Sequence, residues 1–387
     1  MRPGGNNIST AKPGPADVVI VGGGIIGCLT AYYLLQRGLS SVVIEADGIA
    51  SGASGTSAGW LTPYSHENDS AMLTLSPATL RLHPELAETL PSVTGIDHGY
   101  QPDPYLRCVV TEDGIAELRV FQSQRASEGV AMEWLSGEEA RAMSPWITAN
   151  IIGALRRDNE PTVDSYRLTM SALQAAEKRG ARMMSGRVVG LLTSSTGVQL
   201  EDGTEIHGGA VVLAMGPWSG EAAEWLGHPV PVKPQRGELV YLASPGDREG
   251  PELEIGIDIV EDGGSLIPKR LSDTIVAASK EYVGFDRSIT ASARDALLLR
   301  AARLSDRVQT ARISGQTACL RPISADGRAY VELVPGWDHV YLSTGHSGKG
   351  IHYGPVTADA IAGLIAEGRS EHDIALLSPA RASITTV

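Results

Sequence analysis

The stretch that most limits what this chain can fold into is ADVVIVGGGIIGCLTAYYLLQRGLSSVVIE, residues 16–45. Asp17 to Val21 is a short β-branched apolar run, and Gly22, Gly24 and Gly27 spell G-x-G-x-x-G. Ile25 to Arg37 then repeats with the period of a helix, and Ser41 to Ile44 is a second apolar run that ends on Glu45. Strand, glycine turn, helix and strand in that order make a βαβ dinucleotide unit.

Each residue has a physical task in such a unit. Gly22 permits the tight turn, Gly24 lets the backbone reach a pyrophosphate, and Gly27 lets helix and strand pack closely. The phosphate would rest on the unpaired N–H groups of the helix N-terminus, and Glu45 would accept hydrogen bonds from a ribose. A lone G-x-G-x-x-G is a weak signal that a glycine-rich turn of another α/β protein also produces. The strand before it, the helix after it and an acid about twenty residues on make it specific. The motif leaves NAD and FAD both open.

Length and charge narrow the alternatives. A chain of 387 residues can bury a large core in two or three domains. Its 32 Lys and Arg stand against 45 Asp and Glu, a net charge of −13, which repels phosphate backbones and argues against nucleic acid or an anionic membrane as partner. Cys28, Cys108 and Cys319 lie far apart with no C-x-x-C spacing. Neither a disulfide framework nor a zinc site is expected, which fits a reducing, cytoplasmic setting. The apolar run from Val18 to Leu35 is interrupted by three glycines and follows a tail with few charges, so it reads neither as a membrane span nor as a signal peptide. That tail, residues 1–15, is rich in Gly, Pro and Asn and is expected to be disordered.

After Glu45, Ala46 to Gly59 is a run of small residues that leads directly into Trp60 and Leu61. Small side chains expose backbone N–H groups, so the run suits wrapping a second phosphate and the edge of a cofactor ring better than it suits a linker. Helices are expected over Ser70 to Leu90, closed by Pro91, and over Asp113 to Ser127, Ser136 to Met143, Asp164 to Arg179 and Ala291 to Ser305. Ser136 and Glu139 form a capping box. Strands are expected at Tyr105 to Val110, Gly153 to Asp158, Met183 to Leu192, Gly197 to Leu200 and Glu205 to His207, with a hairpin turn at Glu201 to Thr204. The last of these suggest a small β-meander beside the dinucleotide unit. Ala210 to Trp218 reads as that domain's last strand, with Gly216 where backbone must approach a ligand closely. Glu238 to Leu242, Ser265 to Pro268 and Asp273 to Ser279 build a second, antiparallel sheet. Val340 to Ser343 then leads through Gly345-His346-Ser347-Gly348-Lys349-Gly350-Ile351 into a helix from about Pro355 to Glu367, which returns the chain to the first domain.

Gly22 to Gly27 with Glu45, Ser51 to Gly59, Val211 to Trp218, and Cys319 to Asp326 with Gly345 to Ile351 occur in the order seen in the D-amino acid oxidase family of FAD-dependent amino-acid and amine oxidases. The chain resembles that family from Ala16 to about Gly368, most nearly its glycine oxidase and sarcosine oxidase branches. The resemblance selects FAD over NAD. It implies an α/β fold: a Rossmann-like FAD-binding domain of glutathione-reductase type, with a second α+β substrate domain on an antiparallel sheet. The implied bounds are 16–95, 148–222 and 322–375 for the discontinuous FAD-binding domain and 96–147 and 223–321 for the substrate domain. Beyond Gly22, Gly24, Gly27 and Glu45, the implied FAD contacts are Ile25, Ile26, Ala46, Ala53, Ser54, Ser57, Ala58, Gly59, Val188, Ala214, Gly216, Trp218, Gly348, Lys349, Gly350 and Ile351.

The implied chemistry is the flavin's: a small amino acid or secondary amine is held with its α-C–H against the flavin N5, a hydride passes, and the imine hydrolyses. No protein side chain is assigned as the reacting group. Arg321 matches the arginine that clamps the substrate carboxylate in glycine oxidase, and a planar guanidinium suits a carboxylate because it offers two parallel hydrogen bonds. The N-terminus of the C-terminal helix, with or without Lys349, would stabilise the reduced flavin. Ser265 and Lys280 stand where glycine oxidase has a tyrosine and a methionine facing the substrate. A lysine there would favour a second anionic group, such as an amino dicarboxylate or aminophosphonate, unless a one-residue slip turns it to water. Trp60 and Tyr241 are candidates to line the pocket. His346 is the histidine closest to the expected flavin, carried with the substrate residues but better suited to orienting its loop than to carrying protons. No metal set or Ser-His-Asp set can be assembled.

The electron acceptor divides the readings. The resemblance makes an oxidase releasing hydrogen peroxide the first expectation, but Ile275 falls where sarcosine oxidase has its oxygen-activating lysine, so direct reaction with oxygen does not follow from it. A dehydrogenase passing electrons to a quinone or protein is the second, and a non-catalytic flavin-binding subunit of a complex the third. Cys319 lies near the covalent flavin attachment point of the sarcosine oxidases, and a buried cysteine is usually inert, so non-covalent FAD is expected. The oligomeric state stays open.

Overall fold

The structure is a computed structural model and describes residues 15–63, 70–158, 160–193, 196–243, 253–260 and 263–384. The tail at residues 1–14 lies outside the described residues. The chain forms two compact units. One takes Met1–Gly55, Thr169–Lys233 and Pro322–Val387, and the other takes Thr56–Leu168 and Pro234–Arg321.

The strands in chain order begin with β1 (Ala16–Val21), β2 (Ser41–Glu45), β3 (Tyr105–Val109), β4 (Glu133–Ser136) and β5 (Gly153–Arg157). Then come β6 (Arg182–Ser185), β7 (Val188–Leu191), β8 (Gly197–Leu200) and β9 (Glu205–Leu213). The remainder are β10 (Val232–Leu242), β11 (Gly256–Ile259), β12 (Ser265–Ile267), β13 (Thr274–Ala277), β14 (Ile313–Ser324), β15 (Tyr330–Leu333) and β16 (Val340–Thr344). The helices are α1 (Ile25–Gln36), α2 (Ser70–Leu73), α3 (Ser76–Thr94), α4 (Glu112–Ser127) and α5 (Gly137–Met143), then α6 (Ser165–Glu177), α7 (Ala222–Leu226), α8 (Ala291–Ala302) and α9 (Gly350–Glu367).

In the first unit the sheet runs β15-β16-β9-β1-β2-β6. All neighbours from β16 to β6 are parallel, and β15 is the antiparallel edge. Val18, Val19 and Ile20 are fully buried in the middle, as a parallel strand covered on both faces requires. Helix α1 buries every residue from Ile25 to Leu34 and packs against α9, where Gly354 faces Ile25, Ile26 and Leu29. A helix apolar all round belongs inside, so this one is core rather than membrane. Among the described residues no helix is long and apolar enough to cross a membrane.

The second unit is built on the sheet β14-β10-β13-β12-β11-β3-β5-β4. Period-two alternation gives it two distinct faces. Leu106, Val240, Ile257, Leu266 and Val276 bury one face against Leu297 and Ala301 of α8. Leu239, Ile267, Ile275 and Ala277 form an apolar patch on the other, with Ala58, Trp60 and Tyr241 packed on it.

Several boundaries differ from expectation for identifiable reasons. The first unit stops at Gly55 instead of continuing to residue 95, and resumes at Thr169 instead of 148. Backbone pairing explains this: Leu61 N donates to Pro161 O, and Thr162 exchanges bonds with Gln101, so residues beyond Gly55 belong to the second unit's hydrogen-bond network. The expected helix over Ser70 to Leu90 is split into α2 and α3, and α3 runs past Pro91 to a left-handed Gly95. It tolerates Pro84 and Pro91 because its buried stripe of Leu82, Leu86 and Leu90 offsets the lost backbone bonds. Helix α9 likewise starts at Gly350, with Pro355 inside it. Met183 to Leu192 divides into β6 and β7 at Gly186, whose N–H turns to Glu45 O. Conversely, Glu205 to Leu213 is one strand, antiparallel to β8 at its start and parallel to β1 over the rest.

Candidate active site

The glycine motif of the first unit divides into residues the protein uses for itself and one it does not. Gly22 adopts φ +114°, and a Cβ there would stand 2.4 Å from Ala214 O. A Cβ on Gly27 would stand 2.0 Å from Gly22 O, so helix and strand touch at that point. Gly24 is different: it is the extended N-cap of α1, with φ −79° and ψ −179°, and a Cβ there would meet only Ser54 Oγ, at 3.1 Å. The space over Gly24 is a cradle that any side chain would begin to fill.

Glu45 anchors the turn beside that cradle. Its Oε2 accepts from Gly23 N at 2.7 Å, and its Oε1 accepts from Asp47 N at 2.9 Å and Gly48 N at 3.3 Å. A carboxylate has about four acceptor positions, so capacity remains for a ribose hydroxyl. Ala46 follows directly, while Ile25 and Ile26 are buried against the core. Ser54 Oγ accepts from Ile25 N at 2.9 Å and so sits at the α1 N-terminus, next to Ala53 and to Gly52, which lies under the Trp218 ring. Val188 and Ala214 are buried, Ala214 through its N–H to Val21 O. Gly216 takes φ +55° with nothing within 4 Å of an added Cβ, so conformation and not crowding calls for glycine there. Gly345 at φ +74° and Ser347 at φ +52° shape a 3-10 turn, Ser347–Lys349, which contains Gly348 and opens directly into α9 at Gly350 and Ile351. The N–H groups of the first turns of α1 and α9 lack partners within their own helices and carry positive partial charge.

His346 does not face outward as a substrate residue. It is 3% exposed, and its Nε2 lies 3.0 Å from Thr357 Oγ1. Thr357 Oγ1 gives its own proton to Tyr353 O, so His346 Nε2 is the donor, and burial lowers the imidazole to about 4. It ties the 345–350 turn to α9 as a neutral side chain.

In the second unit the decisive group is Arg321 on β14. It is half-buried; Nη1 donates to Ser279 O at 2.9 Å and lies 3.4 Å from Gln235 Oε1, and among the described residues no carboxylate pairs with it. The other buried arginines contrast with it. Arg157 pairs with Glu160 and Asp258, both at 3.4 Å, and Arg236 with Glu281 at 2.7 Å and Asp286 at 2.8 Å. Those two are neutralised by the fold, whereas Arg321 has only the neutral groups of Ser279 and Gln235 as hydrogen-bond partners among the described residues.

Ser265 is buried on β12 across from Asp258, near Tyr105, whose OH donates to Ile257 O at 3.3 Å. Trp60 stacks on that Tyr105, with ring centroids 4.1 Å apart, and Arg157 lies over both rings. Lys280, expected to face the substrate, is exposed, in a stretch beyond β13 that still pairs with β10 through Ser279 and Glu281. Tyr241 OH meets Thr317 Oγ1 at 3.2 Å, and Cys319 is a buried free thiol. Ser57 accepts from Ser165 Oγ through its carbonyl, Gly59 accepts from Val163 N, and Ala58 between them is held by a residue that the sequence does not single out, Lys269. Its Nζ donates to Ala58 O at 2.8 Å and to Val163 O, and burial lowers its ammonium to about 7. The available signal was a lysine placed directly after the buried Leu266-Ile267-Pro268 run.

A parallel sheet whose first strand leads through a glycine turn into a buried helix, with an acid closing the second strand, defines a dinucleotide-binding fold. The chain belongs to the FAD dependent oxidoreductase family, whose model matches residues 17–364. It is 28% identical to a glycine oxidase of Geobacillus kaustophilus, over 94% of this chain and 97% of the relative. It is 29% identical to a glycine oxidase of Pseudomonas aeruginosa, over 94% and 98% respectively. The crystal structure of the Geobacillus kaustophilus enzyme superposes with a TM-score of 0.89, covering 94% of this chain and 98% of that one. The cradle over Gly24, the acceptor capacity of Glu45 and the positive ends of α1 and α9 fit FAD's pyrophosphate and ribose.

Proposed function

We propose that this protein oxidises a small amino acid or secondary amine bearing one carboxylate, and that Arg321 binds the carboxylate. The observation that carries the reading is a half-buried guanidinium, packed over Gly237 two residues from Leu239 of an apolar sheet face, with no acid paired to it among the described residues. The glycine oxidases among its relatives support it. Bound FAD supplies the two-electron acceptor for the substrate's α-C–H bond. Gly24, Glu45, Ser54, Gly216 and the 348–351 turn are the residues proposed to hold it, non-covalently, with Cys319 left as buried packing. Arg321 orients the substrate through paired hydrogen bonds. Leu239, Ile275 and Ala277 keep water from the neighbouring surface, which strengthens those bonds. Lys280, exposed and next to Ser279, is not needed for this reading, which asks for one carboxylate on the substrate.

Replacing Arg321 with Met should raise KM for amino acids about 10- to 100-fold, the worth of a charge-assisted pair, without loss of FAD. An unchanged KM would remove Arg321 from the reading. With oxygen as acceptor the second product is hydrogen peroxide. Ile275, buried and apolar where a lysine would activate oxygen, favours keeping a dehydrogenase as the second reading. Peroxide formed in air at the rate of amine loss identifies the oxidase; turnover that needs an added quinone identifies the dehydrogenase.

A further inference from the structure

Arg321 is held in a way that fixes both the plane and the rotation of its guanidinium. A Cβ built on Gly237 of β10 would stand 2.2, 2.3 and 2.4 Å from Nη2, Cζ and Nη1 of Arg321. Three atoms at nearly one distance mean that the guanidinium lies face-on over Gly237. All five N–H donors of an arginine lie in the guanidinium plane, so the backbone of β10 sets the plane in which a carboxylate must approach. Rotation within that plane is set at the Nη1 edge, by Ser279 O at 2.9 Å.

Ser279 is itself fixed from several directions. Its Oγ accepts from Glu238 N at 3.0 Å and donates to Glu281 Oε1 at 2.8 Å, while its N–H reaches Glu238 O. Glu281 in turn pairs with the buried Arg236 and exchanges backbone bonds with it. On β10, therefore, Arg236 and Glu238 hold the Ser279 carbonyl, and Gly237 between them offers a bare backbone to the arginine. With Nη1 occupied, the Nε and Nη2 edge has no protein hydrogen bond among the described residues.

We propose that Gly237 and Ser279 are positioning residues for substrate selection: they aim the Nε–Nη2 fork of Arg321 so that the protein accepts amines bearing a carboxylate over those without one. The proposal rests on the carboxylate-binding reading of Arg321 and adds to it the residues that orient the fork. Gly237 carries no strained φ, so its constraint is the space the guanidinium fills.

The test uses the FAD-loaded enzyme and acetate, an unreactive carboxylate, titrated by the change it produces in flavin absorbance, alongside KM and kcat for glycine. Wild type, Gly237→Ala, Arg321→Met and the double variant are compared. Gly237→Ala should weaken acetate at least tenfold and raise KM for glycine similarly, with FAD content unchanged. In the Arg321→Met background the same alanine should change neither quantity by more than about twofold, because the group it displaces is gone. A Gly237→Ala loss that persists in that background, or no loss in wild type, overturns the proposal. If Arg321→Met alone has no effect, the carboxylate reading itself fails, and that outcome is distinct from the other two. Should Gly237→Ala not yield loaded enzyme, Ser279→Ala keeps the glycine and cuts the hydroxyl links to Glu238 and Glu281. It should weaken acetate severalfold in wild type and not with Met at 321; equal losses in both backgrounds overturn the proposal.

Discussion

Three glycines of one motif are not equivalent, and substitution should separate them. Alanine at Gly27 drives a methyl into the Gly22 carbonyl, 2.0 Å away in the present geometry, and neither backbone can yield without parting helix from strand. Gly27→Ala should cost about 2 kcal/mol or more of apoprotein stability, read from the urea midpoint. Gly24→Ala meets only the rotatable Ser54 hydroxyl, so the apoprotein midpoint should scarcely move while FAD binding weakens tenfold or more, measured by flavin fluorescence quenching. Wild-type FAD affinity in Gly24→Ala would show that the cradle holds something else. His346 makes a separate case, in pH. Its folded value of about 4 lies below the ordinary 6.5, so the unfolded chain binds more protons between those values. Its contribution to stability is complete above pH 6.5 and is lost as pH falls toward 4, at up to about 1.4 kcal/mol per unit. Urea midpoints from pH 7 to 4 should therefore fall less steeply in His346→Gln than in wild type, and parallel curves would exclude the buried neutral imidazole as the cause.

At the scale of elements, what the sequence shows is what local physics determines. The βαβ unit is legible to within a residue because β-branched runs, glycine spacing and helical period all agree over residues 16–45. The Ser136–Glu139 capping box is equally local, and it forms with both reciprocal bonds. Proline misleads in α3 and α9 because its local penalty is outweighed by an apolar face that only tertiary packing defines. Strand β9 is hidden for the same reason: its Gly208-Gly209 step looks like a break, yet β1 is paired along it from Gly208 onward. Arg321 could be singled out by its place before a proline, but nothing in the sequence separates it from Arg157 or Arg236. Only the positions of Glu160, Asp258, Glu281 and Asp286 show which arginines are already neutralised. The exposure of Lys280 and the burial of His346 are illegible for a related cause, since side-chain direction beside a strand or in a tight turn is set by packing that spacing does not encode.

At the scale of the whole molecule, the first unit is assembled from three separated pieces of chain, and the proposed FAD contacts within it come from all three. Gly24, Glu45 and Ser54 lie on the first, Val188 and Gly216 on the second, and Gly348 to Ile351 on the third. A ligand that binds only the folded state stabilises by RT ln(1 + [L]/Kd), about 2.7 kcal/mol at a hundredfold excess over Kd. Because the grip is spread over distant pieces, that stabilisation should appear in all of them together and not only around the glycine motif. Adding FAD to the apoprotein should raise Tm progressively with concentration, and amide exchange should slow in step within residues 22–54, 214–218 and 345–351. Protection confined to residues 22–45 would mean that the nucleotide end alone is held and that the C-terminal turn plays no part. Arg321→Met should leave Tm and all three exchange responses as in wild type, since the carboxylate fork is assigned to substrate; a lowered FAD response in that variant would make Arg321 a cofactor residue instead.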